Sequence, residues 1–157
     1  MRNLTRSDAV LRSESILPGI EYSYYLNFKK GKAFHGHMSC TFALQKLANV
    51  FIDFSGKEIV SFQLNEFGSV TSKDEISKLW NQGKLQLKAE WLQTGKNSLS
   101  IQFNNENNTD GNGLHTFTDT DNKQYLYTQS EPYYFNLVMP VFDQPDLKGR
   151  VSFSIMH

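Results

Sequence analysis

A glutamine and a glutamate near the carboxyl end of the chain are the best candidates for binding chemistry. Gln129 and Glu131 lie two residues apart, just before Pro132, where a strand pattern gives way to a helix start signal. A side-chain amide and a carboxylate placed this way can accept hydrogen bonds from an ammonium group. The alternative is local: Glu131 caps the helix that Pro132 begins, and Gln129 bonds the neighbouring backbone. Spacing alone favours the local role.

The histidines offer only half of a metal site. His35 and His37 fall on one face of a predicted strand, whereas His115 and His157 stand apart in the sequence. A zinc site normally needs three or four ligands, and no carboxylate or cysteine completes a set beside His35 and His37. We therefore expect polar, solvent-facing histidines, no metal ligands and no cofactor in this chain.

Nucleophilic catalysis has no signature in the sequence. The single cysteine, Cys40, falls on the apolar face of its strand, where a cysteine usually acts as a small buried hydrophobe. The chain contains neither a G-x-S-x-G elbow nor a P-loop. Asp53 precedes the turn Ser55–Gly56, which predicts a turn-capping role, and the stretch Asp143–Asp146 predicts a turn that bonds its own backbone.

Apolar residues recur with a period of two along most of the chain, which is typical of β-strands. We therefore expect strands to position the candidate residues named above. The stretch Lys29–Lys32 predicts a tight turn between the first two strands. Short strands at this spacing predict an all-β fold of mainly antiparallel sheets, arranged as a sandwich or meander. The predicted strands cover residues 20–28, 34–44, 50–54, 58–64, 84–92, 98–103, 124–128 and 150–155.

Two or three short helices interrupt the strand pattern. The residues Thr5–Asp8 form a capping-box pattern, which predicts a helix over residues 4–13. The residues Ser72–Glu75 form a second capping box before an apolar helical pattern. Pro132 suits the first position of a third helix. The asparagine-rich stretch 104–113 predicts an exposed loop.

Size and composition restrict the class of protein. The 157 residues carry 16 basic and 16 acidic side chains, so there is no excess charge to attract nucleic acid or an anionic membrane. No apolar run approaches the roughly 18 residues of a membrane span, and the first eight residues lack the apolar core of a signal peptide. One cysteine excludes a disulfide framework. We expect a single cytoplasmic domain over residues 1–157.

Six sequence blocks, taken in order, match the pattern of one known family: Leu4–Arg6, Asp53–Gly56, Gly113–His115, Tyr125–Gln129, Glu131–Pro132 and Phe142–Lys148. In order and spacing they resemble the N-terminal β-domain of the aminopeptidase N family of zinc metallopeptidases. The resemblance implies a saddle-like antiparallel β-domain that packs on a thermolysin-like catalytic domain. It also implies that Gln129 and Glu131 belong to the substrate pocket, where the glutamate helps to hold the free α-amino group of the peptide.

The catalytic motifs of that family do not occur in this chain. The family's zinc is bound by two histidines of an H-E-x-x-H motif and a downstream glutamate. Neither this motif nor the family's G-x-M-E-N exopeptidase motif is present in the 157 residues. We expect no peptide hydrolysis by this chain alone, and zinc only where a catalytic domain is supplied. By comparison with the family, we also expect the last strands of the β-domain and the whole catalytic domain to be missing.

A run of aromatic residues follows Glu131 where the family usually has small and basic residues. Tyr133, Tyr134, Phe135 and Leu137 replace polar positions that face the pocket or the catalytic domain. These four residues predict a surface re-used for packing against a protein partner. The leading hypothesis is a catalytically inactive structural or interaction subunit, held in a larger assembly whose other chains complete an open sheet edge.

Two alternatives stay open. In the first, the chain is the N-terminal fragment of an active zinc aminopeptidase, and Gln129 and Glu131 keep their role in binding the amino terminus of the substrate. The other alternative is a carbohydrate- or peptide-binding sandwich that uses exposed aromatic residues such as Tyr25 and Tyr133.

Overall fold

Strands form most of this protein, as the apolar period of two predicts. The computed structural model describes residues 4–28 and 33–156. Within these residues the two short α-helices are α1 (Arg6–Ser13) and α2 (Lys73–Leu79), and the segments Ala89–Trp91 and Phe135–Leu137 are single 3₁₀ turns. The strands are β1 (Ile20–Phe28), β2 (Ala33–Leu44), β3 (Val50–Asp53), β4 (Glu58–Leu64), β5 (Ser69–Val70), β6 (Trp80–Asn81), β7 (Lys84–Leu87), β8 (Gly95–Glu106), β9 (Gly113–Thr118), β10 (Gln124–Gln129) and β11 (Gly149–Met156).

The described strands form three sheets. The largest has the order β11-β1-β2-β8-β4-β5, the second has the order β3-β7-β6, and the third is the β9–β10 hairpin. All pairings are antiparallel except that of β11 with β1, which is parallel. The predicted fold class, mainly antiparallel all-β with short helices, is therefore confirmed.

One hydrophobic core joins the six-stranded and three-stranded sheets. Along β1 and β2 every second side chain is buried, from Tyr22, Tyr24 and Leu26 to Phe34 and Met38. Their neighbours on the opposite face are mostly polar, so the alternation of the sequence becomes the two faces of the sheet. The core continues into β3 and β7, whose apolar side chains belong to the same buried cluster.

The first helix forms as its capping box predicts. The hydroxyl of Thr5 accepts a hydrogen bond from the backbone N–H of Asp8, and the carboxylate of Asp8 accepts one from the backbone N–H of Thr5. The second helix also forms, but Ser72 makes no side-chain capping bond. Helices α1 and α2 have eight and seven residues, and the described residues contain no helix that could span a membrane.

Three local predictions differ from the structure, and one cannot be compared with it. No α-helix follows Pro132, because the chain turns sharply before the 3₁₀ turn Phe135–Leu137. The strand predicted over 84–92 ends at Leu87. The stretch 104–113 is only partly a loop, since β8 continues to Glu106 and β9 begins at Gly113. The turn predicted at Lys29–Lys32 lies outside the described residues.

Candidate functional site

Gln129 and Glu131 are both on the surface, at the end of the β9–β10 hairpin. Gln129 is the last residue of β10 and pairs with Gly113, the first residue of β9. All six residues of β10 are exposed, and Glu131 is exposed as well. Within residues 4–28 and 33–156, neither the Gln129 amide nor the Glu131 carboxylate makes a hydrogen bond or an ion pair. Both groups can therefore bind an external ligand.

The structure does not show the local roles considered for these side chains, which were helix capping by Glu131 and a bond to neighbouring backbone by Gln129. Glu131 does not cap a helix, because the 3₁₀ turn begins at Phe135 and has Tyr134 before it. Instead, Glu131 lies in a turn that is closed by a hydrogen bond of 2.9 Å from the Tyr134 backbone N–H to the Ser130 carbonyl oxygen. The turn presents Glu131 to solvent while its following residues fold back onto the domain.

Tyr133 ties this turn to the interior. Its hydroxyl donates a hydrogen bond of 2.6 Å to Oδ1 of Asp53, the last residue of β3. Burial, together with the neighbouring Asp53 carboxylate, raises the pKa of the Tyr133 hydroxyl above its ordinary value. The hydroxyl therefore stays protonated and keeps its role as donor at any ordinary pH.

Asp53 is the centre of a buried polar network. Its Oδ2 accepts hydrogen bonds from Arg12 Nη1 at 2.5 Å and from the Asp143 backbone N–H at 3.0 Å. Arg12 and Asp53 are 0% and 1% exposed, so this ion pair is removed from water. Burial raises the pKa of Asp53, and the Arg12 guanidinium acts in the opposite direction. The partners of the Asp53 carboxylate are Arg12, Tyr133 and Asp143, and none belongs to the Ser55–Gly56 turn, so the predicted turn-capping role of Asp53 is wrong.

Arg12 links helix α1 to the segment after the aromatic run. Its Nε donates to Oε1 of Gln144 at 2.9 Å, and its guanidinium carbon lies 4.4 Å from the centre of the Phe51 ring. The Gln144 amide nitrogen in turn donates to the Ala9 carbonyl oxygen and to the Ser13 hydroxyl. Side chains of the stretch Asp143–Asp146 therefore bond to helix α1, which corrects the prediction of a turn that bonds its own backbone.

The four residues predicted as a partner surface are each half-buried against their own domain. Phe135 packs against the hydrophobic core, and Tyr133 is held by Asp53. Leu137 lies beside Gly113 at the start of β9, and Tyr134 closes the turn that carries Glu131. The contact of these four residues with a partner stays a prediction.

The close approach of Gly113 to Leu137 gives a testable prediction. Gly113 has a φ of 66°, and a Cβ there would lie 2.9 Å from the Leu137 Cβ. We expect Gly113→Ala to lower the free energy of unfolding by more than about 1 kcal/mol, measured by urea denaturation. Gly111→Ala is the control, because its φ is 89° but nothing lies within 4 Å of the added atom. Equal losses in the two variants would show that the contact with Leu137 is unimportant.

In the described part of the chain, His35, His37 and Cys40 do not belong to a cluster of possible metal ligands. His37 Nε2 lies 2.8 Å from the Ser100 hydroxyl, and His35 Nδ1 is hydrogen-bonded to the Asn104 side chain. Residues 4–28 and 33–156 contain no group of three or more His, Cys, Asp or Glu side chains that could hold a metal ion. Cys40 is 1% exposed, and burial raises the pKa of its thiol, as expected for a buried hydrophobe.

Apolar side chains are exposed on three strands, the edge strand β11 and the two strands of the β9–β10 hairpin. Val151, Phe153 and Ile155 of β11 pair with core residues of β1 and share their face of the sheet. They are nevertheless 45%, 50% and 59% exposed, because no described element covers them. On the hairpin, Phe117, Tyr125 and Tyr127 are exposed to a similar degree. Such apolar surface is typical of contacts with another protein or domain.

Comparison with known proteins gives two results. The model of the peptidase M1 N-terminal domain family matches residues 21–157. The aminopeptidase N of Streptomyces lividans is 38% identical over 65 residues, which are 41% of this chain and 8% of that protein. The matched region therefore spans only a small part of the relative's length.

Proposed function

The chain belongs to the peptidase M1 N-terminal domain family, and we propose that it is the accessory β-domain of an aminopeptidase. In this proposal Gln129 and Glu131 bind the amino terminus of the peptide substrate. The supporting observation is the placement of Glu131: its carboxylate is exposed and unbonded within the described residues, on a turn tied to the core through Tyr133.

The chemistry of the two side chains suits a free amino terminus. At neutral pH the α-amino group is largely an ammonium, since its pKa is about 7.7–8.0. The Glu131 carboxylate accepts a charge-assisted hydrogen bond from it, and the Gln129 amide oxygen accepts another. When a substrate is bound through its α-amino nitrogen, its first peptide bond lies at a fixed distance from Gln129 and Glu131. This geometry is what removal of single N-terminal residues requires.

Hydrolysis would need a second domain. The described part of this chain offers no set of side chains for zinc, so we assign the metal to a catalytic domain with the H-E-x-x-H motif. Zinc bound there supplies activation of water. The exposed apolar residues of β11 and of the hairpin provide a surface on which such a domain could pack. In this proposal the chain itself binds and orients the substrate and makes no covalent step.

The proposal predicts a specific loss of activity in the polypeptide that carries this domain together with a catalytic domain. We expect Glu131→Gln to lower kcat/KM for aminoacyl p-nitroanilides by about 10- to 100-fold, because one hydrogen bond to a charged group contributes about 1.5–3 kcal/mol. Glu66→Gln is the matched control, since Glu66 is also exposed but lies in a turn between β4 and β5. Unchanged kcat/KM in Glu131→Gln would contradict the proposal.

A second candidate function is a non-catalytic interaction subunit of a larger assembly. The exposed apolar face of β11 and the half-buried run Tyr133–Leu137 favour it, because both suit contact with another protein chain. The two functions require different partners: a zinc-containing catalytic domain for the aminopeptidase, and other protein chains without one for the interaction subunit. Isolation of the native complex decides between them: a zinc-containing partner domain supports the aminopeptidase, whereas an assembly without one supports the structural subunit.

A further inference from the structure

The turn that carries Glu131 is fixed at both of its ends. On one side, Gln129 is held in the β9–β10 hairpin by its pairing with Gly113. On the other side, the Tyr133 hydroxyl reaches Asp53 Oδ1 at 2.6 Å. The bond from the Tyr134 N–H to the Ser130 carbonyl oxygen closes the turn between these points. The bond between Tyr133 and Asp53 is therefore one of the contacts that fix the position of Glu131 relative to the domain.

Asp53 is itself unable to move freely. The ion pair with Arg12 and the hydrogen bond from the Asp143 N–H hold the other carboxylate oxygen. The backbone of Asp53 exchanges two hydrogen bonds with Val141, at 2.9 and 3.0 Å. A carboxylate with this many partners has one orientation, so the Tyr133 hydroxyl meets a rigid acceptor.

A parallel set of bonds extends from the same centre to the residues after the turn. The Asp143 carboxylate accepts hydrogen bonds from the backbone N–H and the side-chain amide of Asn136, at 2.9 and 2.8 Å. The Asn136 amide also donates to the Tyr133 carbonyl oxygen at 3.2 Å. Tyr133 is thus held by its side chain and by its backbone, two residues beyond Glu131.

We propose that Arg12, Asp53 and Tyr133 are positioning residues for Glu131, and that their function is to set the specificity of the domain for a free amino terminus. The inference depends on the proposed role of Glu131 in binding that group. None of the three needs to touch the substrate. They act by keeping the Glu131 carboxylate where an ammonium group must bind, because a misplacement of about 1 Å can lower the rate of an enzyme about 10²-fold.

The test removes only the hydroxyl that reaches Asp53. In the polypeptide that contains both this domain and a catalytic domain, Tyr133→Phe keeps the ring and deletes the bond. The readout is the ratio of kcat/KM for an aminoacyl p-nitroanilide to kcat/KM for its α-hydroxyacyl analogue, which lacks the ammonium group. We expect this ratio to fall about tenfold, as for the loss of a well-placed charged hydrogen bond. A merely destabilised enzyme would lose activity on both substrates equally and keep the ratio.

Tyr134→Phe is the matched control. Tyr134 is the adjacent residue, is also half-buried, and contributes to the turn through its backbone N–H. Its variant should keep the wild-type ratio. In a background of Glu131→Gln, Tyr133→Phe should have no further effect on the ratio, because the group that it positions is already lost. An additive effect of the two substitutions would overturn the inference.

The outcomes separate this inference from the proposed function. A ratio that Glu131→Gln leaves unchanged refutes the proposed function, whereas a ratio that falls in Glu131→Gln but not in Tyr133→Phe refutes the positioning role alone. A second measurement uses the 157-residue chain itself. Tyr133→Phe should move the backbone amide resonance of Glu131 in an NMR spectrum, and Tyr134→Phe should move it less. An unchanged Glu131 resonance in Tyr133→Phe would also overturn the positioning role.

Discussion

Replacing Asp53 with alanine should lower the free energy of unfolding by about 3–5 kcal/mol, because removal of one partner leaves a buried charge without compensation. The charge left behind is the Arg12 guanidinium, which is 0% exposed and whose Nη2 already has no hydrogen-bond partner among residues 4–28 and 33–156. Since native domains have a free energy of unfolding of only about 5–15 kcal/mol, this loss would be a large share of the total stability. Urea denaturation followed by circular dichroism measures the loss.

An exposed ion pair gives the control for this prediction. Glu14 pairs with Lys46 at 2.8 Å, but their side chains are 59% and 51% exposed. Glu14→Ala should change the free energy of unfolding by less than about 1 kcal/mol. If Asp53→Ala and Glu14→Ala have similar effects, the buried network does not stabilise the domain as described.

Replacement of the whole pair separates charge from packing. A variant with both Arg12→Met and Asp53→Leu removes the two charges together and fills the site with apolar side chains. Buried ion pairs replaced in this way often leave stability unchanged or higher. The double variant should therefore recover most of the stability that Asp53→Ala loses. It should not restore the anchor of Tyr133, which has no acceptor there.

The strands could be predicted because the apolar residues alternate in the sequence with the same period of two as the buried side chains in the structure. In β2 the residues Phe34, Met38, Cys40, Phe42 and Leu44 share one face, and the structure buries all five. The capping box at Thr5 similarly predicts where α1 begins. These features depend on residues close in sequence, so a short stretch contains the whole signal.

The parallel pairing of β11 with β1 could not be read in the same way. Both strands show an alternating pattern, but the pattern does not say which strand is the neighbour or in which direction it runs. The register Tyr22–Val151 and Tyr24–Phe153 brings together the two ends of the chain. Pairing at this separation is decided by how the remaining strands fill the sheet.

The buried network was missed although its residues were all noticed or lay in predicted elements. Asp53 ends a strand whose four residues are all buried, and an acidic residue in such a strand is a signal for a charged partner. The sequence does not identify Arg12 as that partner, because helix α1 and strand β3 are distant in the chain. The turn that follows Asp53 offered a simpler local explanation.

The aromatic run after Glu131 shows why the same pattern can have two meanings. As a sequence, Tyr133–Leu137 predicts a surface for a protein partner. In the structure, Tyr133 and Phe135 mainly contact their own domain, one through a hydrogen bond to Asp53 and the other through the core. The contacts of Tyr133 and Phe135 with their own domain are therefore compatible with the proposed role of Glu131 in binding an amino terminus.

A core substitution at Phe103 should have an effect as large as that at Asp53. Phe103 lies on the central strand β8, is 1% exposed, and makes edge contacts with the rings of Phe34 and Phe54 at centroid distances of 6.4 and 5.1 Å. We expect Phe103→Ala to lower the free energy of unfolding by about 3–5 kcal/mol, through lost burial and the cavity that remains. Phe117→Ala is the control, because Phe117 is 51% exposed on β9 and its loss should stay within about 0.5 kcal/mol.

Gly36 makes the reason for the Phe103 effect testable. It lies opposite Phe103 in the pairing of β2 with β8, and a Cβ at Gly36 would overlap the Phe103 ring. Gly36→Ala alone should therefore lower stability by about 1–3 kcal/mol through overpacking. In the Phe103→Ala background the same substitution enters the space that the ring has left, so it should be nearly neutral or stabilising. Additive losses in the double variant would show that the ring and the glycine are not fitted to each other.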